Sequence, residues 1–331
     1  MKRTQALRML SLESFLRARD FVFENGGEID RAWYRYHFED ASTDEFLAVL
    51  GGYQHENGGF GGLWHEFEYD GPCLKSTEIA VRYLLGLREL PPESPMIRRM
   101  CTYLLENFLS GTGNFREVVV PAVNDGVHCH WSRWRGEDES PIFDEIERVR
   151  RYHANEKACF AAILAKYPAL VPEHRLREIL RCPVEHLLRH WDQHSAQYLP
   201  EIFASGEPYD LEYYQILVPC LPDAALRSRA AAILCQNPMA FLELDPEKSD
   251  HDYVHLACDA VDSPENVLYP AIADAVEVSL SHRIGQQAAD GRWPLGWFFG
   301  DSPGLRALQT KYEAFRTLGM LIKCKNFGRI Q

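Results

Sequence analysis

The chain has 331 residues, 46% of them hydrophobic and 12% aromatic, enough core material for one large domain or two ordinary ones. Its 35 lysines and arginines are outnumbered by 48 aspartates and glutamates, and a net charge of −13 argues against nucleic acid or anionic lipid as a partner. Nothing approaches the roughly 18 uninterrupted apolar residues of a membrane span. The first residues meet Arg8, Glu13, Arg17 and Arg19 before any leader-like run, and nine scattered cysteines lack a Cys-x-x-Cys pair. A cytoplasmic protein with reduced thiols and no transmembrane segment is expected.

Helical signals run from end to end. Ser11 is predicted to cap a helix carrying Phe15, Phe21 and Phe23 that stops at Gly26-Gly27. Ser42-Thr43-Asp44-Glu45 is a capping box for a helix through Phe46, Leu47 and Leu50, ending at Gly51-Gly52. Residues 75–90 place Ile79, Ala80, Tyr83, Leu84 and Leu87 at helical spacing before Pro91-Pro92. Further helices are predicted over 96–109, 155–167, 173–193, 211–218, 224–235, 265–286 and 303–323, and strand alternation is nearly absent. The segments 116–141 and 242–264 are irregular and too long for simple connectors, which places them over the mouth of a site. No Ser/Gly-rich linker divides the chain, so residues 1–331 read as a single domain.

Between these helices lies a repeat. Gln54-His55-Glu56-Asn57-Gly58-Gly59-Phe60 and Gln287-Ala288-Ala289-Asp290-Gly291-Arg292-Trp293 share Gln-x-x-x-Gly-x-aromatic. A decayed copy, Leu109-Ser110-Gly111-Thr112-Gly113-Asn114-Phe115, keeps Gly-x-Phe and lacks the glutamine. Such a motif suits a turn between paired helices: glycine permits the bend, the ring covers the next hairpin, and the glutamine bonds open backbone groups at a helix end.

These copies resemble the QW-type repeats of the terpenoid cyclase and protein prenyltransferase superfamily. Asn57-Gly58-Gly59-Phe60-Gly61 followed by Glu68-Tyr69-Asp70 is similar to a group of bacterial single-domain prenyltransferase-like proteins, as is Asp290-Gly291-Arg292-Trp293-Pro294 before a long last helix. The resemblance implies an all-α fold, an α/α toroid of roughly five to seven helical hairpins. It also places an acidic pair at Glu68 and Asp70. The motifs that carry the superfamily's known chemistries are missing. The nearest approach to Asp-x-Asp-Asp is Asp250-His251-Asp252-Tyr253, and neither the aspartate-rich diphosphate motifs nor the Asp-x-Cys zinc pair is found.

Four clusters carry candidate chemistry. Trp64-His65-Glu66-Phe67-Glu68-Tyr69-Asp70 sets carboxylates beside aromatics, fit for a general acid or for solvated caps of the next helix. Asn124 to Trp134 contains Asp125, His128, His130, Trp131 and Trp134, read as the wall of an aromatic pocket in preference to a zinc site because a full ligand set is absent. Cys182, His186, His190 and His194 form a stripe on one helix, and a half-exposed polar face is the favoured reading. Trp297, Phe298 and Phe299, with Tyr312 beyond them, either pack a core or floor a cavity for an apolar or cationic ligand.

The leading expectation is an enzyme working by acid/base chemistry on an apolar, isoprenoid-like molecule in a central aromatic cavity. Its catalytic groups are Glu68, Asp70 and Asp125, and its pocket is formed by Trp64, His65, His128, His130, Trp131, Trp134, Trp297 and Tyr312, with no metal and no cofactor. The alternatives are a non-catalytic toroid that binds or scaffolds and a carbohydrate-active enzyme built on an (α/α) barrel. A sugar enzyme needs two carboxyls about 5 to 10 Å apart across a polar cleft, a cyclase needs a closed aromatic chamber, and a scaffold has a filled centre.

Overall fold

The computed structural model describes residues 7–66, 68–111, 113–116, 155–188, 208–251 and 254–331. Its described residues are mostly helical: α1 (Leu12–Asn25), α2 (Glu28–Phe38), α3 (Thr43–Gly51), α4 (Leu74–Leu85), α5 (Pro95–Asn107), α6 (Asn155–Lys166), α7 (Glu173–His186), α8 (Pro208–Leu217), α9 (Ala224–Leu234), α10 (Tyr269–Gly285) and α11 (Pro303–Asn326). None is long and apolar enough to cross a membrane.

The cap signals are realised as hydrogen bonds. Ser11 accepts from the Ser14 amide at 3.2 Å, and Ser42 and Glu45 complete their capping box at 3.2 and 2.7 Å. Residues 75–90 end early, at Leu85, because the Gly86 amide closes onto Arg82 O and the Arg88 amide donates to the Tyr36 hydroxyl at 2.8 Å. Helix α2 carries no Ser or Thr cap, so start signals miss it. Asp30 reaches back instead to the Gly27 amide at 2.7 Å. Trp33 then stacks on Tyr36 with centroids 5.1 Å apart and meets Phe46 and Tyr83 across the neighbouring helices. The decayed repeat folds as a short hairpin, β1 (Phe108–Leu109) on β2 (Asn114–Phe115).

Helix α6 is apolar around its whole circumference, from Ala158 to Ala165, and is accordingly buried with α4 and α8 packed on it. Helix α11 packs on α1 and α2, so the last helix lies against the first two. The ends of the chain are also paired: the Leu10 amide donates to Arg329 O at 2.7 Å and the Gln331 amide to Leu10 O at 3.0 Å.

The two intact repeat copies have one geometry. Gln54 Nε2 donates to Gly58 O at 3.0 Å and to Met96 O, in the first turn of α5, at 2.9 Å; Gln287 Nε2 donates to Gly291 O at 3.0 Å and to Ser14 O, in the first turn of α1, at 2.9 Å. The His55 and Ala288 amides each close the turn at 2.9 Å, onto Gly59 O and Arg292 O. Gly58 and Gly291 have φ of 92° and 94°, and a Cβ on either would fall 2.1 Å from Arg99 O or 2.4 Å from the Arg17 carbonyl carbon. Phe60 and Trp293 are buried, with their amides on Thr77 and Thr317 Oγ1, both at 3.0 Å. In the decayed copy Glu178 of α7 accepts from the Gly111 amide at 2.7 Å, so the partner helix supplies the polar anchor that the missing glutamine would have given.

Replacing Gln287 by Leu removes its two hydrogen bonds to Gly291 O and Ser14 O and should cost about 1 to 3 kcal/mol, read as a lower urea midpoint at unchanged slope. Deleting everything after Asp290 should abolish cooperative unfolding. A truncated chain that unfolds as wild type does would show that the C-terminal turn is not needed to close the fold.

Candidate functional site

The loop after the first repeat is folded back on the turn. Gly61 donates to Tyr53 O at 3.0 Å, Gly62 to Tyr69 O at 2.9 Å, Cys73 to Phe60 O at 3.0 Å, and His55 Nε2 to Asp70 O at 2.6 Å. This closure drives His65 inward, where its ring stacks on Phe315 at 4.1 Å and on Tyr312 at 5.8 Å. Tyr312 in turn meets Trp297 at 6.2 Å and Phe299 at 5.9 Å. Three of the sequence candidates, His65, Tyr312 and Trp297, therefore belong to one aromatic wall between the loop and the N-terminal half of α11. Trp64 is half-buried and donates from Nε1 to Glu66 at 3.2 Å. Glu68 and Asp70 are exposed on the outer side of the loop. Asp125, His128, His130, Trp131 and Trp134 lie outside the described residues, as do His190, His194 and most of the segment 116–141.

Behind the wall the lining turns polar. On α4, Glu78 is paired with Lys75 at 2.8 Å and with Arg82 Nε at 3.1 Å, and it accepts from the Tyr213 hydroxyl at 3.0 Å. Arg82 also pairs with Glu212 of α8 and lies 4.9 Å over the Tyr213 ring. Because α6 packs between α4 and α8, this bridge crosses the interior. Arg82 and Glu212 are partly enclosed, with 32% and 26% of their side-chain surface accessible. Burial pushes Glu212 up, but Arg82 outweighs it and holds the carboxyl below its ordinary range, with smaller contributions from His255 and Lys323.

The same neighbourhood continues to Asp259, which accepts from Arg283 at 2.8 Å and from the Leu256 amide at 3.1 Å. Burial opposes its ionisation, and Arg283, Lys323 and Arg316 overcome it, so Asp259 titrates far below the usual carboxylate range. Lys323, on α11, pairs with Asp262 at 3.6 Å. Tyr312, Arg316, Gly319 and Lys323 follow one another at helical spacing along one face of α11, and this face joins the aromatic wall to the ion pairs.

Hydrophobic periodicity does not single out Glu78, Arg82, Glu212, Asp259, Arg316 or Lys323. The available signal is Glu78 with Arg82 four residues on, a charged pair set into an otherwise apolar helix. Among the described residues no group of three metal-ligating side chains comes together, and His186 Nδ1 is engaged by the Tyr214 hydroxyl.

Two buried groups next to the wall tie stability to pH. Burial raises Asp30 to about 6 from 3.8 against the opposing Gly27 amide and Lys311, and its Oδ1 has no partner among the described residues. A carboxyl raised on folding destabilises progressively between the two values, so Asp30→Asn should gain on wild type as pH rises from 3.8 to about 6, then hold a plateau of about 3 kcal/mol. Burial first, and Lys311 second, lower His65 from 6.5 to about 3, so wild type should lose stability as pH falls below 6.5 and His65→Phe should lose less. Urea titrations at several pH values measure both. A pH-independent difference for Asp30→Asn would refute the first assignment.

Compared with known protein families, curated proteins and solved structures, the chain matches none.

Proposed function

We propose that the chain is an α/α toroid of the terpenoid cyclase and prenyltransferase type, and that its central recess takes a polar, hydroxylated small molecule of the carbohydrate kind. The ring is supported by two equivalent turns that dock on the starts of α5 and α1, by α11 lying on α1 and α2, and by α6 lying between α4 and α8. Its unpaired cysteines, which suit a reducing compartment, support a cytoplasmic setting.

One observation carries the choice of ligand: Arg82 and Glu212, backed by the buried carboxylate of Glu78, are paired yet partly accessible. A hydrocarbon seated there would strip water from two charged groups and return no hydrogen bonds, at several kcal/mol per ion. A hydroxylated ligand replaces those bonds. In this reading Glu212 is the ionised carboxylate that accepts from a ligand hydroxyl or serves as base.

A second reading, an apolar isoprenoid-like ligand worked on by Glu68 or Asp70, is favoured by the stacked rings of His65, Phe315 and Tyr312. Thermal shifts with neutral oligosaccharides and with farnesol and squalene separate the two. An oligosaccharide should raise Tm by a few degrees near saturation, and Glu212→Gln should remove that shift while retaining the helical circular dichroism. Stabilisation by the isoprenoids alone, unchanged in Glu212→Gln, would replace the polar reading by the apolar one.

A further inference from the structure

We infer that Arg316 is an anion-recognising group, and that the ligand of the recess carries a carboxylate; this rests on the polar reading of the site. Other cations of the charged interior are already paired. Lys75 is paired with Glu78, Arg82 with Glu78 and Glu212, Arg283 with Asp259, and Lys323 with Asp262. Arg316 differs. Among the described residues it forms no ion pair within 4.0 Å and no hydrogen bond, and its guanidinium carbon lies 5.4 Å over the Trp297 ring. Stacking on an indole holds the planar fork in place and leaves its edge N–H groups available, so little side-chain freedom remains to be lost when an anion binds.

The setting allows a ligand to reach it. Gly319, one turn further on the same face, is exposed, and an added Cβ there would meet nothing within 4 Å. The free face of α11 therefore runs past Arg316 toward Lys323. The charge of the surroundings then selects the anion. Asp259 is close enough for Arg316 to help hold it ionised, and the whole chain carries −13. A dianionic phosphate is repelled about twice as strongly as a monoanion by those charges. A carboxylate matches the fork bidentately at half that penalty. The ring quadrupole of Trp297, which on sequence grounds suits a cationic ligand, is engaged by the protein's own cation.

The test is ligand-observed NMR on the full chain with four probes at millimolar concentration: glucose, glucuronate, glucose 6-phosphate and decanoate. Glucuronate should bind about tenfold or more tighter than glucose, with the ratio falling to about one in Arg316→Gln and to an intermediate value in Arg316→Lys. Circular dichroism of each variant shows whether the fold is retained, and Arg316→Lys preserves the stacking charge if Arg316→Gln does not fold. The inference is overturned if glucuronate and glucose bind alike, if the preference survives in Arg316→Gln, if glucose 6-phosphate binds more tightly than glucuronate, or if none of the probes binds. Equal binding of glucose and glucuronate would leave the carbohydrate reading standing without the carboxylate. Arg316-dependent binding of decanoate in preference to glucuronate would instead keep the carboxylate and remove the carbohydrate.

Discussion

The side-chain amide of a glutamine, held between its own turn and the first turn of a neighbouring helix, is the constraint on which this architecture depends. Gln54 ties its turn to α5, and Gln287 ties the equivalent turn to α1, with the same pair of acceptors and distances agreeing within 0.1 Å. One bond of each pair closes the turn on itself and the other ties it to a carbonyl of the neighbouring helix, adding a second donor to an oxygen that already accepts within the helix. The glycine that follows lets the turn approach the partner helix more closely than any Cβ permits, and the buried ring locks the register. Remove the amide and the two elements have apolar contact but no shared polar geometry.

That outer scaffold explains how the interior can be so highly charged. A bridge such as Glu78–Arg82–Glu212 is expensive to desolvate and contributes little net stability by itself. It persists where other contacts supply the fold, and here they do: α6 buries an all-round apolar surface, and α2 contributes a dense aromatic stripe through Trp33, Tyr34 and Tyr36. Division of labour follows. Helix surfaces and turns hold the chain together, and the interior charges are satisfied by one another.

The sequence disclosed the scaffold better than the site, for a physical reason. Caps at Ser11 and Ser42 and the two glutamine turns are local chemistry, written within a few residues, and they appear where the spacing places them. Helix α2 escaped because its start is capped by an aspartate reaching back to a glycine, a weaker sequence mark than Ser or Thr. His65, Tyr312 and Trp297 were legible as large rings close to turns, and they come together. The charged interior was not, since Arg82 and Glu212 are 130 residues apart and their pairing exists only once α4 and α8 flank α6. The acids that local pattern favoured, Glu68 and Asp70, are on the loop's exposed side, where sequence density of charge and accessibility to solvent go together.

The pairing of Leu10 with Arg329 and Gln331 brings the two ends of the described chain side by side. A short peptide joining residues 331 and 7 would convert the chain into a covalent loop, and new ends could be opened at a surface connection such as the one between Pro92 and Ser94. In such a permutant the two glutamine turns would exchange places along the sequence while keeping their partners in space.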